Sequence, residues 1–188
     1  MNRYSFVKDC IKKNTTSAEF KMQDAAIDLL TEGECNISVR TLIEKAAVER
    51  STFYAYYERL DDVLEAAENT VAEDIINAGS NSSGIKEYLE SLFSAFSENR
   101  RRIKALLTNA NRYSLIEKML NAVRYSLAES LTKEYSQENA MLDDILSGAM
   151  INPLLSYVME GRDLNLSMLE ERIATLTACP SREESSQE

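Results

Sequence analysis

The sequence predicts an all-α protein of about nine helices, and three observations indicate this class. Apolar residues recur at intervals of three or four along most of the 188-residue chain, as on one face of a helix. Glycine and proline are scarce, with five and two residues, whereas sheets with many turns need more of both. No segment shows the alternation of apolar and polar residues that half-buried strands require. The length fits one large domain, or a small domain joined to a medium one.

Residues 1–62 are predicted to form the first domain. Within it, residues 1–15 are a basic arm, and the remaining residues form a three-helix helix-turn-helix unit that binds DNA. The arm has two interpretations, a solvated segment or a segment that lies along DNA. Its charged residues are Arg3, Lys8, Asp9, Lys12 and Lys13.

The first domain divides into helices at three signals. An apolar stripe of Phe20, Ala25 or Ala26, Ile27 and Leu30 predicts a helix over Ser17–Thr31, and Gly33 follows it as a C-cap glycine does. Ser38 is placed to cap a second helix, from Val39 to about Ala46. A three-residue turn, Ala47–Glu49, then leads into a third helix.

The third helix lies in the stretch VERSTFYAYY, residues 48–57, which carries four aromatic residues in an acidic chain. Phe53 and Tyr57 are four residues apart and therefore share a face, which can anchor the helix to its neighbours. Tyr54 and Tyr56 point elsewhere, so their hydroxyls can donate to phosphate oxygens of DNA. The aromatic residues are thus predicted to divide into an anchoring pair and a DNA-contacting pair.

Two arginines of this region are candidates for base contact. Arg50, at the exposed front of the third helix, can reach a guanine edge with two parallel hydrogen bonds. Arg40 lies in the first turn of the second helix and is the second candidate.

Residues 63–179 are predicted to form a second, helical domain, followed by a disordered polar tail over residues 180–188. The stretch GSNSSG, residues 79–84, is the clearest break between helices. Pro153 falls inside a predicted helix and is expected to kink it, and Ser167 and Glu170 form a capping box before the last one. The first predicted helix is Leu60–Ala78, which begins in the first domain. The others are Ile85–Arg100, a short one from Arg100, Arg112–Tyr135, Glu138–Glu160 (ended by Gly161), and one ending near Thr177.

The composition argues against several functional classes. Histidine is absent and the three cysteines show no CxxC spacing, which disfavours a metal site, a disulfide framework and acid–base catalysis. No apolar run approaches about 18 residues, and the amino terminus lacks a secretory signal, so we expect a cytoplasmic protein. The net charge is −10, but residues 1–60 carry nine basic and nine acidic residues. The acidic excess lies in the second domain, so the first can approach a phosphate backbone.

The residues from about Ser17 to Leu64 resemble the DNA-binding region of the tetracycline-repressor (TetR) family of transcription regulators. The resemblance lies in AAIDLL of the first helix, SVRTLIEKAAV of the second, and TFYAYY followed by DDVLEA. It implies that Arg40, Arg50, Ser51 and Thr52 face bases or the nearby backbone. It also implies that Tyr54, Tyr56 and Arg59 contact phosphates of a palindromic operator in double-stranded DNA.

Four positions depart from the family pattern. Ala47 replaces the turn glycine, where a left-handed conformation costs roughly 1 kcal/mol more for alanine. Tyr56 replaces a histidine, and Leu60 replaces a lysine that touches phosphate, a role that Arg59 can take over. Glu49 replaces the capping serine and repels phosphate. These departures predict weaker or more salt-sensitive DNA binding.

The resemblance further implies a homodimer whose DNA affinity a small-molecule effector controls, with no cofactor and no metal. The six effector-pocket candidates, which are alternatively plain core, are Tyr88, Leu92, Phe93, Phe96, Met119 and Val123. The dimer-interface candidates, some of which are alternatively core within one chain, are Gly148, Ala149, Met150, Leu154, Leu155, Val158, Leu169, Ile173 and Leu176.

Three hypotheses for function follow. The first is a TetR-like repressor that a small-molecule effector releases from its operator. The second is a DNA-binding co-regulator controlled by a protein partner instead of a small ligand. The third is an all-α enzyme, which the sequence disfavours because its acidic pairs, such as Asp143-Asp144, are adjacent rather than at metal-ligand spacing.

Overall fold

The computed structural model describes residues 16–34, 36–80, 82–110, 112–131 and 140–177. These residues form nine α-helices and contain no β-strand, which confirms the all-α prediction for the described part. None of the described helices is long and apolar enough to cross a lipid bilayer. The helices are α1 (Ser17–Thr31), α2 (Val39–Ala46), α3 (Arg50–Tyr56), α4 (Leu60–Gly79), α5 (Ile85–Glu98), α6 (Arg100–Thr108), α7 (Ser114–Leu131), α8 (Ala140–Glu160) and α9 (Leu166–Thr177).

The predicted helix ends agree with the observed ones to within two residues wherever the structure describes them. At α7 the difference is two residues, because Arg112 is in the connecting loop, where its N–H donates to the carbonyl of Leu106 at 3.0 Å, and the helix begins at Ser114. The basic arm, the polar tail, and the predicted helix ends at Tyr135 and Glu138 lie outside the described residues.

The first two helices have the ends that their sequences predict. Thr16 and Glu19 form a capping box at the start of α1, and Gly33 follows its end with a φ of +86°. At α2, the hydroxyl of Ser38 accepts the backbone N–H of Thr41 at 3.1 Å. Local side-chain hydrogen bonds therefore explain these boundaries.

Helix α4 lies at the centre of the fold and contacts α1, α5, α6 and α7. Helix α8 packs on α5, α6 and α7, and α9 packs on α5 and α8. One continuous cluster of buried apolar side chains runs from Met22 in α1 to Ile173 in α9. The helices that precede and follow α4 thus share a single core.

Gly79 is the last residue of α4, where it touches α7 and α5. A Cβ atom at this position would lie 2.6 Å from Cβ of Ser126 and 2.7 Å from Cε2 of Tyr88. The Tyr88 hydroxyl lies 2.8 Å from Oγ of Ser126 and donates to the carbonyl of Val123 at 3.2 Å, which holds α5 against α7. The sequence indicated a break at Gly79; the structure adds a packing role, because only glycine lets the helices approach this closely.

Gly79→Ala is expected to lower the free energy of unfolding by about 1–3 kcal/mol, because the added methyl group overpacks this contact. Gly148→Ala is the matched control, since nothing lies within 4 Å of a Cβ there and alanine favours a helix interior. The control is expected to raise the free energy of unfolding by about 0.5–1 kcal/mol. Urea denaturation at one protein concentration distinguishes the two, and effects of the same sign would contradict the packing role.

Two local predictions are wrong. The carboxamide oxygen of Asn165, not the predicted box of Ser167 and Glu170, caps α9, because it accepts the backbone N–H of Met168 at 3.0 Å. Phe20, predicted on the apolar face of α1, is 44% exposed. Its ring lies 5.4 Å from the guanidinium carbon of Arg102, which covers it from α6.

The carboxyl-terminal half contains the predicted proline and glycine signals. Pro153 lies inside α8, and Gly161 follows that helix with a φ of +73° and donates to the carbonyl of Tyr157 at 3.1 Å. A kink at Pro153 stays a prediction.

Candidate nucleic-acid interface

Helix α3 is short and is held by two buried aromatic side chains. Phe53 is fully buried and Tyr57 nearly so, and their ring centroids are 6.1 Å apart. Through this face α3 contacts both α1 and α2. The predicted anchoring pair is therefore confirmed.

A chain of buried polar groups adds to this anchor. The hydroxyl of Thr70, in α4, donates to the side-chain oxygen of Gln23, in α1, at 2.9 Å. The amide nitrogen of Gln23 lies 3.5 Å from the hydroxyl of Tyr57. Burial raises the pKa of Tyr57 above its usual range, so the phenol stays neutral. Helix α1 thus contacts the residue that follows α3, and α4 is connected to that residue through Gln23.

The opposite face of α3 is open to solvent. Tyr54 is 51% exposed and Tyr56 is 42% exposed, as the division of the aromatic residues predicts. Arg50 and Ser51 are exposed as well, and Thr52 is half-buried. All five predicted contact residues of this helix therefore retain accessible surface.

Arg50 is supported by a stack of aromatic rings that the sequence analysis did not predict. The guanidinium carbon of Arg50 lies 5.6 Å from the ring centroid of Tyr54. The Tyr54 ring in turn meets Phe53 edge-on, with centroids 5.1 Å apart and an interplanar angle of 89°. An exposed arginine thus rests on a side chain that contacts the core. The i, i+4 spacing of Arg50 and Tyr54 is the sequence signal that could have indicated this contact.

The two remaining predicted contact residues have carboxylate partners within the chain. Nε of Arg40 donates to Glu44 at 2.8 Å, and Nη2 of Arg59 donates to Asp62 at 3.2 Å. Both arginines are largely exposed, so these ion pairs contribute little to stability and can exchange for phosphate.

Asp62 also fixes the connection between α3 and α4. Its carboxylate accepts the backbone N–H of Arg59 at 2.8 Å and that of Glu58 at 3.0 Å. The backbone hydrogen bond from Arg59 is the main cause that lowers the pKa of Asp62 below its usual value. The charged carboxylate therefore holds the residue that precedes α4 in place.

Ala47 joins α2 to α3 in a left-handed conformation, with φ of 51° and ψ of 47°. It is the only described residue other than glycine with a positive φ. Its N–H donates to Glu44 and the next N–H, of Val48, donates to Ile43, at 3.3 and 3.1 Å. The tight turn that the resemblance implies is thus formed with alanine in place of glycine, at a cost of roughly 1 kcal/mol.

Ala47→Gly is expected to raise the free energy of unfolding by about 1 kcal/mol, because glycine adopts this conformation without strain. The control is Ala55→Gly, an equal change in the right-handed backbone of α3. It is expected to lower the same free energy by about 0.5–1 kcal/mol. Thermal and urea unfolding measure both, and a loss of stability in Ala47→Gly would contradict the argument from strain.

The predicted effector-pocket residues lie in the packed interior. All but Phe93 are fully buried, and Phe93 packs on Tyr157 with ring centroids 5.0 Å apart. Burial raises the pKa of Tyr88, whose hydroxyl already has partners within the chain. Three open clefts, of about 430, 330 and 200 Å³, are lined by other residues. A ligand pocket among these six residues stays a prediction.

The predicted dimer-interface residues divide into two groups. Met150, Leu154, Val158 and Ile173 are buried within the single chain, which agrees with the core alternative for these four. The accessible group consists of Gly148, Ala149, Leu155 and Leu169, which are half-buried, and Leu176, which is exposed.

The accessible group has apolar neighbours that the sequence analysis did not name. Ile145 in α8 and Met168 in α9 are 43% and 56% exposed. Together with Leu176 they make three of the seven large hydrophobic side chains that are exposed in the described part of the chain. Helices α8 and α9 therefore present apolar surface that a second chain could cover.

The described residues contain no group of three or more histidine, cysteine, aspartate or glutamate side chains that could hold a metal ion. Comparisons of the chain with protein-family models, curated proteins and solved structures found no match. The geometry around α3 is therefore the basis for a functional assignment.

Proposed function

We propose that this protein is a TetR-like transcription regulator that binds DNA through the exposed face of α3. The observation that carries the proposal is the two-sided construction of this helix. Phe53 and Tyr57 bury one face, whereas Arg50, Tyr54 and Tyr56 project from the other. Helices α2 and α3, joined by the turn at Ala47, are interpreted as a helix-turn-helix unit with α3 as its recognition helix.

The exposed side chains suit the two kinds of contact that such a helix makes. A planar guanidinium, here Arg50, can donate two parallel hydrogen bonds to O6 and N7 of guanine. The hydroxyls of Tyr54 and Tyr56 can donate to phosphate oxygens, which fixes the position of the helix along the groove. Arg40 and Arg59 exchange their carboxylate partners for phosphate, so binding weakens as salt rises.

The proposed regulator acts as a homodimer. A recognition helix of seven residues offers few contacts, whereas two copies about 34 Å apart reach successive major grooves. The apolar side chains exposed on α8 and α9 support this pairing, because a second copy would cover them. The operator is then an inverted repeat whose half-sites are related by the twofold axis of the dimer.

Selection of genomic DNA fragments by the purified protein tests the proposal, with the enriched fragments titrated at two salt concentrations. An inverted repeat is expected to be enriched and to bind more weakly at the higher salt. Arg50→Ala removes a contact worth about 1–3 kcal/mol in each half-site, so affinity is expected to fall about 30-fold or more.

Arg162→Ala is the matched control, because Arg162 is equally charged but lies between α8 and α9 and pairs with Glu160. It is expected to leave DNA affinity unchanged. A folded dimer that enriches no fragment at either salt concentration would refute the proposed function, and so would equal losses in the two arginine variants.

The control of DNA binding has two candidates. One is a repressor that a small-molecule effector releases from its operator, by binding better to the form that does not bind DNA. The other is a co-regulator that a protein partner controls. The second is favoured by the fully buried side chains of Tyr88, Phe96 and Met119, which fill the interior where an effector was expected.

A further inference from the structure

A buried carboxylate joins α4 to the start of α7. Glu68 has no exposed side-chain surface, yet it lies among charged groups rather than apolar ones. Its carboxylate accepts from Nε of Arg112 at 2.5 Å and from Nζ of Lys118 at 2.7 Å. The hydroxyl of Ser114 donates to the same carboxylate at 3.0 Å. The charge of Glu68 is therefore matched entirely by groups from the segment that begins α7.

Arg112 extends this cluster to the first turn of α4. While its Nε binds Glu68, its Nη1 lies 2.6 Å from Oδ1 of Asp61. The neighbouring Asp62 holds the backbone N–H groups of Glu58 and Arg59, which connect α4 to α3. Two groups of hydrogen bonds, joined by the covalent link between Asp61 and Asp62, thus connect the buried Glu68 to the residues that follow the recognition helix.

We propose that Arg112 is a positioning residue for DNA binding, because it fixes the angle of α3 and of the first turns of α4 relative to α7. The proposal rests on the proposed function. A buried carboxylate with two cationic partners tolerates little displacement, since any shift leaves charge unmatched in a medium of low dielectric constant. Apolar contacts alone would tolerate more sliding, because they have no direction.

A second fixed point makes this angle well defined. Gly79 touches Ser126 and Tyr88 at the other end of α4, eleven residues beyond Glu68, or about 17 Å along the helix axis. Two separated points of close contact fix the direction of the α4 axis relative to its neighbours. A single point would let α4 rotate about that point.

The ion pairs on the α1 side are more exposed and hold the angle less firmly. Asp24 and Asp28 of α1 pair with Arg102 and Arg101 of α6, and both carboxylates are more than one-third exposed. Exposed pairs of this kind contribute little because water and salt screen them. The cluster around Glu68 is the better candidate for control of the angle.

In a dimer, this angle sets the distance and rotation between the two recognition helices. Adding one base pair between half-sites moves them apart by about 3.4 Å and rotates them by about 35°. A protein with a fixed angle discriminates strongly between spacings, whereas one with a loose angle accepts several. The preference for half-site spacing therefore reports positioning separately from the strength of each contact.

The test uses the full-length protein and duplexes of the selected operator with spacings altered by one and two base pairs. Arg112→Lys keeps the charge but lacks the fork that binds Glu68 and Asp61 at once. We expect the affinity ratio between the best and the altered spacings to fall at least threefold. The control is Arg124→Lys, which alters the pair with Asp144 farther along α7 and is expected to leave the ratio unchanged.

An equal loss of affinity at every spacing would overturn the proposal and leave Arg112 a merely structural role. If the wild-type protein selects no DNA, the proposed function fails, and hydrogen exchange then tests the positioning by itself. Arg112→Lys is expected to speed exchange of backbone amides at residues 62–68 at least threefold relative to those at residues 71–79. Uniform exchange along α4 in that variant would overturn the positioning role as well.

Discussion

Glu68→Ala is expected to lower the free energy of unfolding by about 3–5 kcal/mol, because it removes a carboxylate that is buried between two cations. The side chains of Arg112 and Lys118 are 19% and 14% exposed, so neither is free to regain full hydration when Glu68 is lost. Ser114 loses the acceptor of its hydroxyl group at the same time. The cost is therefore that of unmatched charge rather than that of one lost hydrogen bond.

Urea denaturation measures this change, and Glu65→Ala is the matched control. Glu65 lies one turn earlier on α4, is largely exposed, and reaches Lys118 only at 3.9 Å. Its replacement is expected to change the free energy of unfolding by about 0.5 kcal/mol or less. Similar losses in the two variants would show that burial does not determine the importance of Glu68.

Replacing Glu68, Arg112 and Lys118 together with apolar residues tests whether the cluster is needed for stability or only for the angle of α4. A triple variant with Glu68→Leu, Arg112→Leu and Lys118→Met contains no unmatched buried charge, since Asp61, which loses Arg112, is largely exposed. It is therefore expected to retain the stability of the wild type or exceed it. A stable triple variant alongside an unstable Glu68→Ala variant would show that the cluster is costly to break but dispensable for folding.

Phe53→Ala is expected to lower the free energy of unfolding by about 3–5 kcal/mol, because it leaves a cavity beneath α3. Phe53 is fully buried, and its ring supports both Tyr57 and Tyr54. Tyr54→Ala, at the adjacent exposed position, removes one edge contact and is expected to cost about 1 kcal/mol or less. Urea denaturation measures the two variants.

Tyr54→Ala is expected to weaken DNA binding more than Phe53→Ala does, at a temperature where both variants are folded. Tyr54→Ala removes a phosphate donor and the support of Arg50, so its affinity for the operator is expected to fall at least tenfold. The folded fraction of Phe53→Ala retains the exposed residues and is expected to bind more tightly than Tyr54→Ala. Fluorescence anisotropy of a labelled duplex tests this order, and its reversal would contradict the two-sided model of α3.

Much of the candidate interface was predictable because its signals are local. The i, i+4 spacing of Phe53 and Tyr57 indicated the buried face of α3, and Ser38 indicated the start of α2. The turn at Ala47 between two short helices was indicated by the same segment, and the resemblance, which has glycine at this position, implied its left-handed conformation. Each of these features depends on residues within about one helical turn of one another, so the chain contains the necessary information in one short segment.

Glu68 shows why other features could not be predicted. In the sequence it is one of several acidic residues on α4 and would normally face solvent. It is buried because Arg112 and Lys118, more than forty residues later, approach from the loop before α7 and from α7 itself and match its charge. The same reason applies to Gly79. A local pattern marks it as a break between helices, but it is the approach of Ser126 from α7 that requires a glycine there.

The sequence by itself determined the all-α class, most helix boundaries and the two faces of α3, because helical periodicity, capping and turn formation act between near neighbours. Only the tertiary structure decided which apolar residues of α8 are core and which are accessible, since apolar residues occur on every side of this helix and its pattern does not show which side faces the core. It also decided that a carboxylate would be buried, because its stability depends on cations that folding brings together from distant parts of the chain.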